Sequence, residues 1–369
     1  MDERASVHDD VVVLVPGFLG FSVVSQFPYF ADRVPATLAA LLRERWGRDV
    51  SVVPATTVPT GTLQKRVENL SDFLGKLQTW GASRFYLVGH STGGVDAQLF
   101  MTNAPFWSET WPESARVLQR QVKAVVTISA PHYGTSLLDS AAAKFVAHPS
   151  LQNVKGLVPL IEAAGPLAGL LGKELAQVLS LADVSALQFP DVVRFLDSIR
   201  RHHELLDELT PRFMAGVREK TQANPSAKLT CFVTGADVRN EGRKSDPFYA
   251  ELNAFGHVDD GAPGPAVNQA VALFMHQEPT IWIKSASSQP LHITATTNDG
   301  IVNTARQWLP EGALGGIVLG DHADVLGHYD RIDLATGKPM NTGIFRSGAG
   351  FGDDEFTELY RRVARALGD

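Results

Sequence analysis

Tyr86-Leu87-Val88-Gly89-His90-Ser91-Thr92-Gly93-Gly94 joins two unlike patterns. Upstream, Phe85 to Val88 is a short apolar and aromatic run, the pattern of a strand buried on both faces. Downstream, Val95, Leu99 and Phe100 recur at helical spacing. The stretch therefore predicts a strand that ends at Gly89 and a helix that begins after Gly94. In a chain with 32 glycines, G-x-S-x-G alone is a weak signal, and the strand before it and the helix after it are what give it meaning. A serine at such a corner sits on a strained turn, and the flanking glycines let the backbone pass close to itself. Its hydroxyl is held out at the carboxyl end of the strand, beside a helix N-terminus that favours developing negative charge. Ser91 is the candidate nucleophile.

Outward from this corner, strand and helix signals alternate. Val11 to Val15 is a β-branched run that stops at Pro16-Gly17, and Val50 to Val53, Val122 to Ile128 and Leu229 to Val233 are similar runs. Leu291 to Ala295 and Gly316 to Leu319 read as two later strands. Leu63, Val67, Leu70, Phe73, Leu74 and Leu77 share one helical face. A last helix is expected over about Asp353 to Ala366, acidic at its start and basic near its end, as the helix dipole prefers. Alternation of this kind implies an α/β fold with a mainly parallel sheet covered on both faces.

The alternation stops between Gly134 and Lys228. Leu, Ala and helix formers dominate there, punctuated by Pro149, Pro159, Pro166, Pro190 and Pro211. Residues 134–227 are therefore expected to form a mainly helical cap or lid inserted between core segments 1–133 and 228–369. Glycines and prolines among Leu157, Leu160, Leu167, Leu170 and Leu171 suggest short helices joined by bendable points. A moving lid and a rigid roof both suit that pattern. A second insertion, about Asn240 to Pro279, reads as loop around Gly261-Ala262-Pro263-Gly264-Pro265.

Composition narrows the function. With 369 residues, 44% hydrophobic and 20% charged, the chain has ample material for one large core and is not disordered. A net charge of −7 gives no reason to expect nucleic-acid binding. A single cysteine, Cys231, excludes an intrachain disulfide and a Cys-based zinc cluster, and its apolar setting reads as a buried structural thiol. Met1 to Asp10 is acidic and lacks the apolar core of a signal peptide. No run reaches about 18 apolar residues, so no transmembrane segment is expected. As it stands the sequence reads as cytoplasmic, and secretion of a trimmed mature form is compatible with it.

With the serine motif, three further segments make the chain resemble α/β-hydrolases of the bacterial triacylglycerol lipase and esterase type. Val13-Leu14-Val15-Pro16-Gly17-Phe18-Leu19-Gly20 is similar to the family's oxyanion loop, with Pro16 where the family usually has His. Val125 to Ser136 resembles its strand ending in Pro-His-x-Gly-[Ser/Thr], and Thr297-Asn298-Asp299-Gly300-Ile301-Val302 resembles its acid motif. The likeness is good at both ends of the chain and slight in the middle. It implies an α/β-hydrolase fold with a helical cap and a triad in the order Ser, acid, His.

His322-Ala323-Asp324 follows the late strand Gly316 to Leu319 and resembles the lipase His-x-Asp pattern, which makes His322 the expected base, with His328 as competitor. Asp299 is the family-matched acid, and Asp237 the alternative. The backbone N–H groups of Phe18 and Thr92 are the expected oxyanion donors. His132 reads as structural, and His90 as packing beside the nucleophile. No cofactor is required. A structural calcium is an option that the relatives suggest, with Asp324 as one ligand and Asp246 or Asp259 as further carboxylates.

These residues imply a serine-dependent carboxylic-ester hydrolase that acts on apolar acyl esters. Short-chain esters, triglycerides and polyesters all suit an apolar cleft, and the cap could also meet a lipid interface. The competing readings are an acyltransferase on the same scaffold, an amidase or peptidase, and a non-catalytic binding protein. Oligomeric state is not legible.

Overall fold

The computed structural model describes residues 7–18, 28–59, 61–138, 204–238, 244–245, 247–257, 264–332, 339–340 and 345–368. Seven strands form one sheet: β1 (Asp10–Val15), β2 (Ser51–Pro54), β3 (Arg84–His90), β4 (Val122–Ile128), β5 (Lys228–Gly235), β6 (Trp282–Ile283) and β7 (Ala313–Leu319). Their spatial order is β2-β1-β3-β4-β5-β7-β6, and every pairing is parallel. Because all strands run the same way, their carboxyl ends share one edge, where α/β sheets place their functional loops.

Side-chain alternation along the strands divides the core. Val11, Val13, Val15, Leu87 and Val125 pack on one face against α2 (Leu63–Thr79), α3 (Thr92–Phe100) and α4 (Glu113–Gln121). Val12, Leu14, Val88 and Val126 face the other way, onto α1 (Arg33–Trp46) and a long C-terminal helix, Asp353–Ala366. That last helix has Asp353, Asp354 and Glu355 in its first turn and Arg365 in its last, as the charge pattern predicts. Among the described residues between β4 and β5, α5 (Glu204–Glu208), α6 (Pro211–Lys220) and the turn joining them send Leu205, Leu209, Met214 and Val217 into the first core face. Cys231 is fully buried, and burial pushes its thiol up to about 11, so it is a structural and not a reactive group.

Two expectations are corrected. Leu291 to Ala295 is not a strand. The Thr294 and Thr297 hydroxyls hydrogen-bond nearby backbone and one another, and such local bonds compete with a sheet ladder. The edge position belongs to Trp282–Ile283, paired with β7. The stretch about Asn240 to Pro279 is not mere loop, for it holds α7 (Pro247–Gly256) and α8 (Pro265–Met275). Each opens on a proline, which is tolerated in a first turn where no N–H partner is needed. We number the C-terminal helix Asp353–Ala366 α9. Of the expected cap, residues 139–203 lie outside the described residues. No helix among the described residues is long and apolar enough to cross a membrane.

Candidate active site

The corner between β3 and α3 has the predicted geometry. Ser91 has φ 54° and ψ −132°, a left-handed conformation that is costly for a non-glycine residue. The turn is closed by backbone passing against backbone: a Cβ on Gly89 would lie 2.3 Å from Gly93 O, and one on Gly93 would lie 2.1 Å from Val15 O. Ser91 N–H donates to Ile128 O at 2.9 Å, which ties the corner to β4. Serine at a helix N-cap ordinarily bonds its own helix, yet Ser91 Oγ makes no such bond. The hydroxyl is therefore not committed to capping, and Ser91 is 7% exposed.

Asp299 and His322 are brought together from separate loops at the same edge. His322 Nδ1 donates to Asp299 Oδ2 at 2.8 Å, and His322 N–H donates to Asp299 O at 3.1 Å. Because the carboxylate can only accept, Nδ1 carries the proton, and Nε2 presents its lone pair. Asp299 is fully buried. Its Oδ1 accepts from the Ile301 and Val302 N–H groups at 3.0 and 2.8 Å, and its Oδ2 also accepts from Thr234 Oγ1 and Gln307 Nε2. A buried carboxylate needs such saturation. Gln307 Oε1 in turn receives Thr234 N–H at 2.6 Å, so the acid is held by β5 as well as by its own turn.

His90 links the two halves. Its Nε2 lies 3.0 Å from His322 O and its Nδ1 2.6 Å from Tyr29 Oη. The carbonyl fixes the tautomer, with Nε2 donating and Nδ1 accepting from the tyrosine. The His90 and His322 ring centroids are 4.6 Å apart. Burial, with His322 alongside, keeps His90 well below the usual histidine range. His90 thus holds the His322 backbone from the residue next to Ser91. In this structure Ser91 Oγ and His322 are not hydrogen-bonded to each other, a contact that commonly tightens only with substrate bound.

The competing residues sit elsewhere. His328 Nε2 faces the Pro28 and Tyr29 carbonyls at 3.2 and 3.0 Å and anchors that segment. Asp237 pairs with His257 Nε2 at 2.8 Å, a second pair separate from His322. His132 is fully buried, with Nε2 3.1 Å from Thr127 Oγ1, and burial holds it well below the usual histidine range.

The loop after β1 lies against the serine, since a Cβ on Gly17 would be 2.8 Å from Ser91 Cβ. Phe18 follows it directly, and Thr92 opens α3. With Pro16 where histidine was expected, the loop is held through its carbonyl, which receives Arg66 Nη2 at 2.8 Å. Thr234, Gln307, Tyr29 and Arg66 were not singled out from sequence. Arg66 alone left a trace, as a charge on the apolar face marked by Leu63, Val67 and Leu70.

Calcium needs several oxygens. Asp324 is buried, but its Oδ2 accepts Asp321 N–H at 2.8 Å. Among the described residues no group of three or more His, Cys, Asp or Glu side chains gathers to hold a metal ion. Asp246 and Asp259 lie outside the described residues.

No protein-family model and no curated protein sequence matches the chain. Solved structures do resemble it. Lipase 1 from Pelosinus fermentans superposes with a TM-score of 0.54 at 15% identity, covering 98% of this chain and 99% of that one. A metagenomic carboxyl esterase gives 0.51 at 14% identity, covering 97% of this chain and 75% of that one. With the parallel sheet and its carboxyl-edge loops, these likenesses establish an α/β-hydrolase fold. Chemistry must be argued from the site, because one fold hosts many activities.

Proposed function

We propose that the protein is a serine-dependent carboxylic-ester hydrolase with the triad Ser91, Asp299 and His322. The observation that carries this reading is the strained Ser91 corner, uncommitted to capping its own helix, on the same sheet edge as an Asp299–His322 pair whose Nε2 is unengaged among the described residues. In the reading, Ser91 Oγ attacks the ester carbonyl carbon while His322 Nε2 takes its proton. Asp299 holds the imidazole and stabilises its cationic form. The Phe18 and Thr92 N–H groups receive the oxyanion. Collapse expels the alcohol, protonated by His322. Water, activated by the same histidine, then cleaves the acyl-enzyme.

An apolar acyl group accords with the Leu- and Ala-rich composition of segment 134–227, proposed as a mainly helical insertion between core segments 1–133 and 228–369, whose described helices α5 and α6 join the core. The two structural neighbours whose names are lipase and carboxyl esterase accord with this class of substrate. No cofactor enters the scheme. Ser91→Ala tests it on a p-nitrophenyl ester: turnover should fall at least ~10⁴-fold, and near-wild-type turnover would remove the proposal.

A further inference from the structure

Arg66 and Asp96 form an ion pair in which both side chains are 0% exposed. Arg66 lies on α2 and Asp96 on α3. The guanidinium Nε lies 2.9 Å from Asp96 Oδ2, and Nη2 lies 2.6 Å from the same oxygen. The remaining arms reach backbone carbonyls: Nη2 to Pro16 O at 2.8 Å, and Nη1 to Val58 O and Pro59 O at 3.2 and 3.4 Å. All five guanidinium donors therefore have acceptors. Arginine's planar fork fixes these partners at once, which a lysine ammonium cannot do.

The placement matters more than the pairing. Asp96 stands about one helical turn after Thr92, and Pro16 stands two residues before Phe18. One buried guanidinium thus joins the helix that carries one expected oxyanion donor to the loop that carries the other. Buried ion pairs contribute little net stability compared with apolar replacements, so stability alone does not account for a charge on the apolar stripe of α2. We propose that Arg66 and Asp96 are positioning residues that set the spacing between the Phe18 and Thr92 N–H groups. This rests on the reading of Ser91 as nucleophile.

The test compares wild type with Arg66→Lys, which keeps the charge but loses the fork. It also uses the double change Arg66→Met with Asp96→Leu, which removes both charges together and so leaves no unpaired buried ion. Reactive sites are counted with a fluorophosphonate, and rates are measured per reactive site on p-nitrophenyl butyrate. Inhibition is measured with a trifluoromethyl ketone, whose hemiketal oxyanion fills the hole, and with a neutral product-like alcohol. In both variants kcat per site should fall about 10- to 100-fold, the scale of a displaced oxyanion donor. KM should stay within about threefold, ketone affinity should fall in step with kcat, and alcohol affinity should hold. A merely structural pair would lower the melting temperature and the count of reactive sites, with kcat per site and ketone affinity at wild-type values. That result in either folded variant overturns the proposal. If wild type itself neither reacts with the fluorophosphonate nor cleaves the ester, the hydrolase reading fails first and takes the clamp with it.

Discussion

Two buried aspartates each hold a histidine at 2.8 Å: Asp299 with His322, and Asp237 with His257. Distance and burial do not distinguish the pairs, since both carboxylates are 0% exposed. The second ring nitrogen does. His257 engages both, with Nε2 on Asp237 and Nδ1 2.8 Å from Asn253 O. His322 engages only Nδ1 among the described residues and has its backbone carbonyl gripped by His90. The Asp237–His257 pair is a brace behind the loop that carries Asp299, where Asn298 bonds Asn253. In the Asp299–His322 pair a ring nitrogen is left for a proton among the described residues, as the proposed role of base requires. A carboxylate–imidazole contact identifies catalysis only when the far side of the ring faces chemistry.

Mutation should separate the pairs sharply. Asp299→Asn is expected to lower kcat about 10³- to 10⁴-fold through loss of the correct tautomer and orientation, whereas Asp237→Asn should change it less than about fivefold. Steady-state kinetics on one ester checks both, and similar losses in the two variants would break the comparison. Thr234→Val sharpens it. With one donor to Asp299 removed, we expect a fall of about 10-fold in kcat with little change in KM, because the site loses orientation and not substrate contacts. Asp237→Asn should instead appear in stability, lowering ΔG of unfolding by about 1–3 kcal/mol in urea titrations.

The smallest effect concerns pH. His132 is held neutral by burial, below the usual range of an unfolded histidine. Between the two values the unfolded chain binds more protons, so stability rises with pH there and is lost as pH falls below about 6.5. His132→Gln should reduce the slope of unfolding free energy against pH by up to about 1.4 kcal/mol per unit between pH 6.5 and 5. An unchanged slope would show that His132 is not held neutral in the fold.

Much of this architecture was legible in residue order. The β-branched runs at Val11 and Val122 alternate onto two faces of the sheet, and the period of Leu63 to Leu77 is that of α2. Trp282–Ile283 was not legible, because two residues carry no period and their pairing depends on β7. Helices α7 and α8 were hidden by the same glycines and prolines that set their starts. Within the site, Ser91 stood out because its corner is local. Asp299 and His322 needed the family likeness, since sequence does not reveal which loops meet. Thr234 and Gln307 were invisible for the same reason: each is an ordinary polar residue until β5 and the acid loop converge. Arg66 is the exception, since a charge at a buried helical position is a local anomaly and asks for a partner such as Asp96.

In the proposed mechanism Ser91 is an activated nucleophile served by the Asp299–His322 pair. Reaction with a fluorophosphonate, followed by peptide mass spectrometry, tests it most directly. Close to one adduct per chain is expected, located on the peptide containing Ser91, and formed about 10³-fold or more slowly in Asp299→Asn than in Asp237→Asn. An unmodified Ser91 in protein that still cleaves esters, or equal labelling rates in the two aspartate variants, would contradict it.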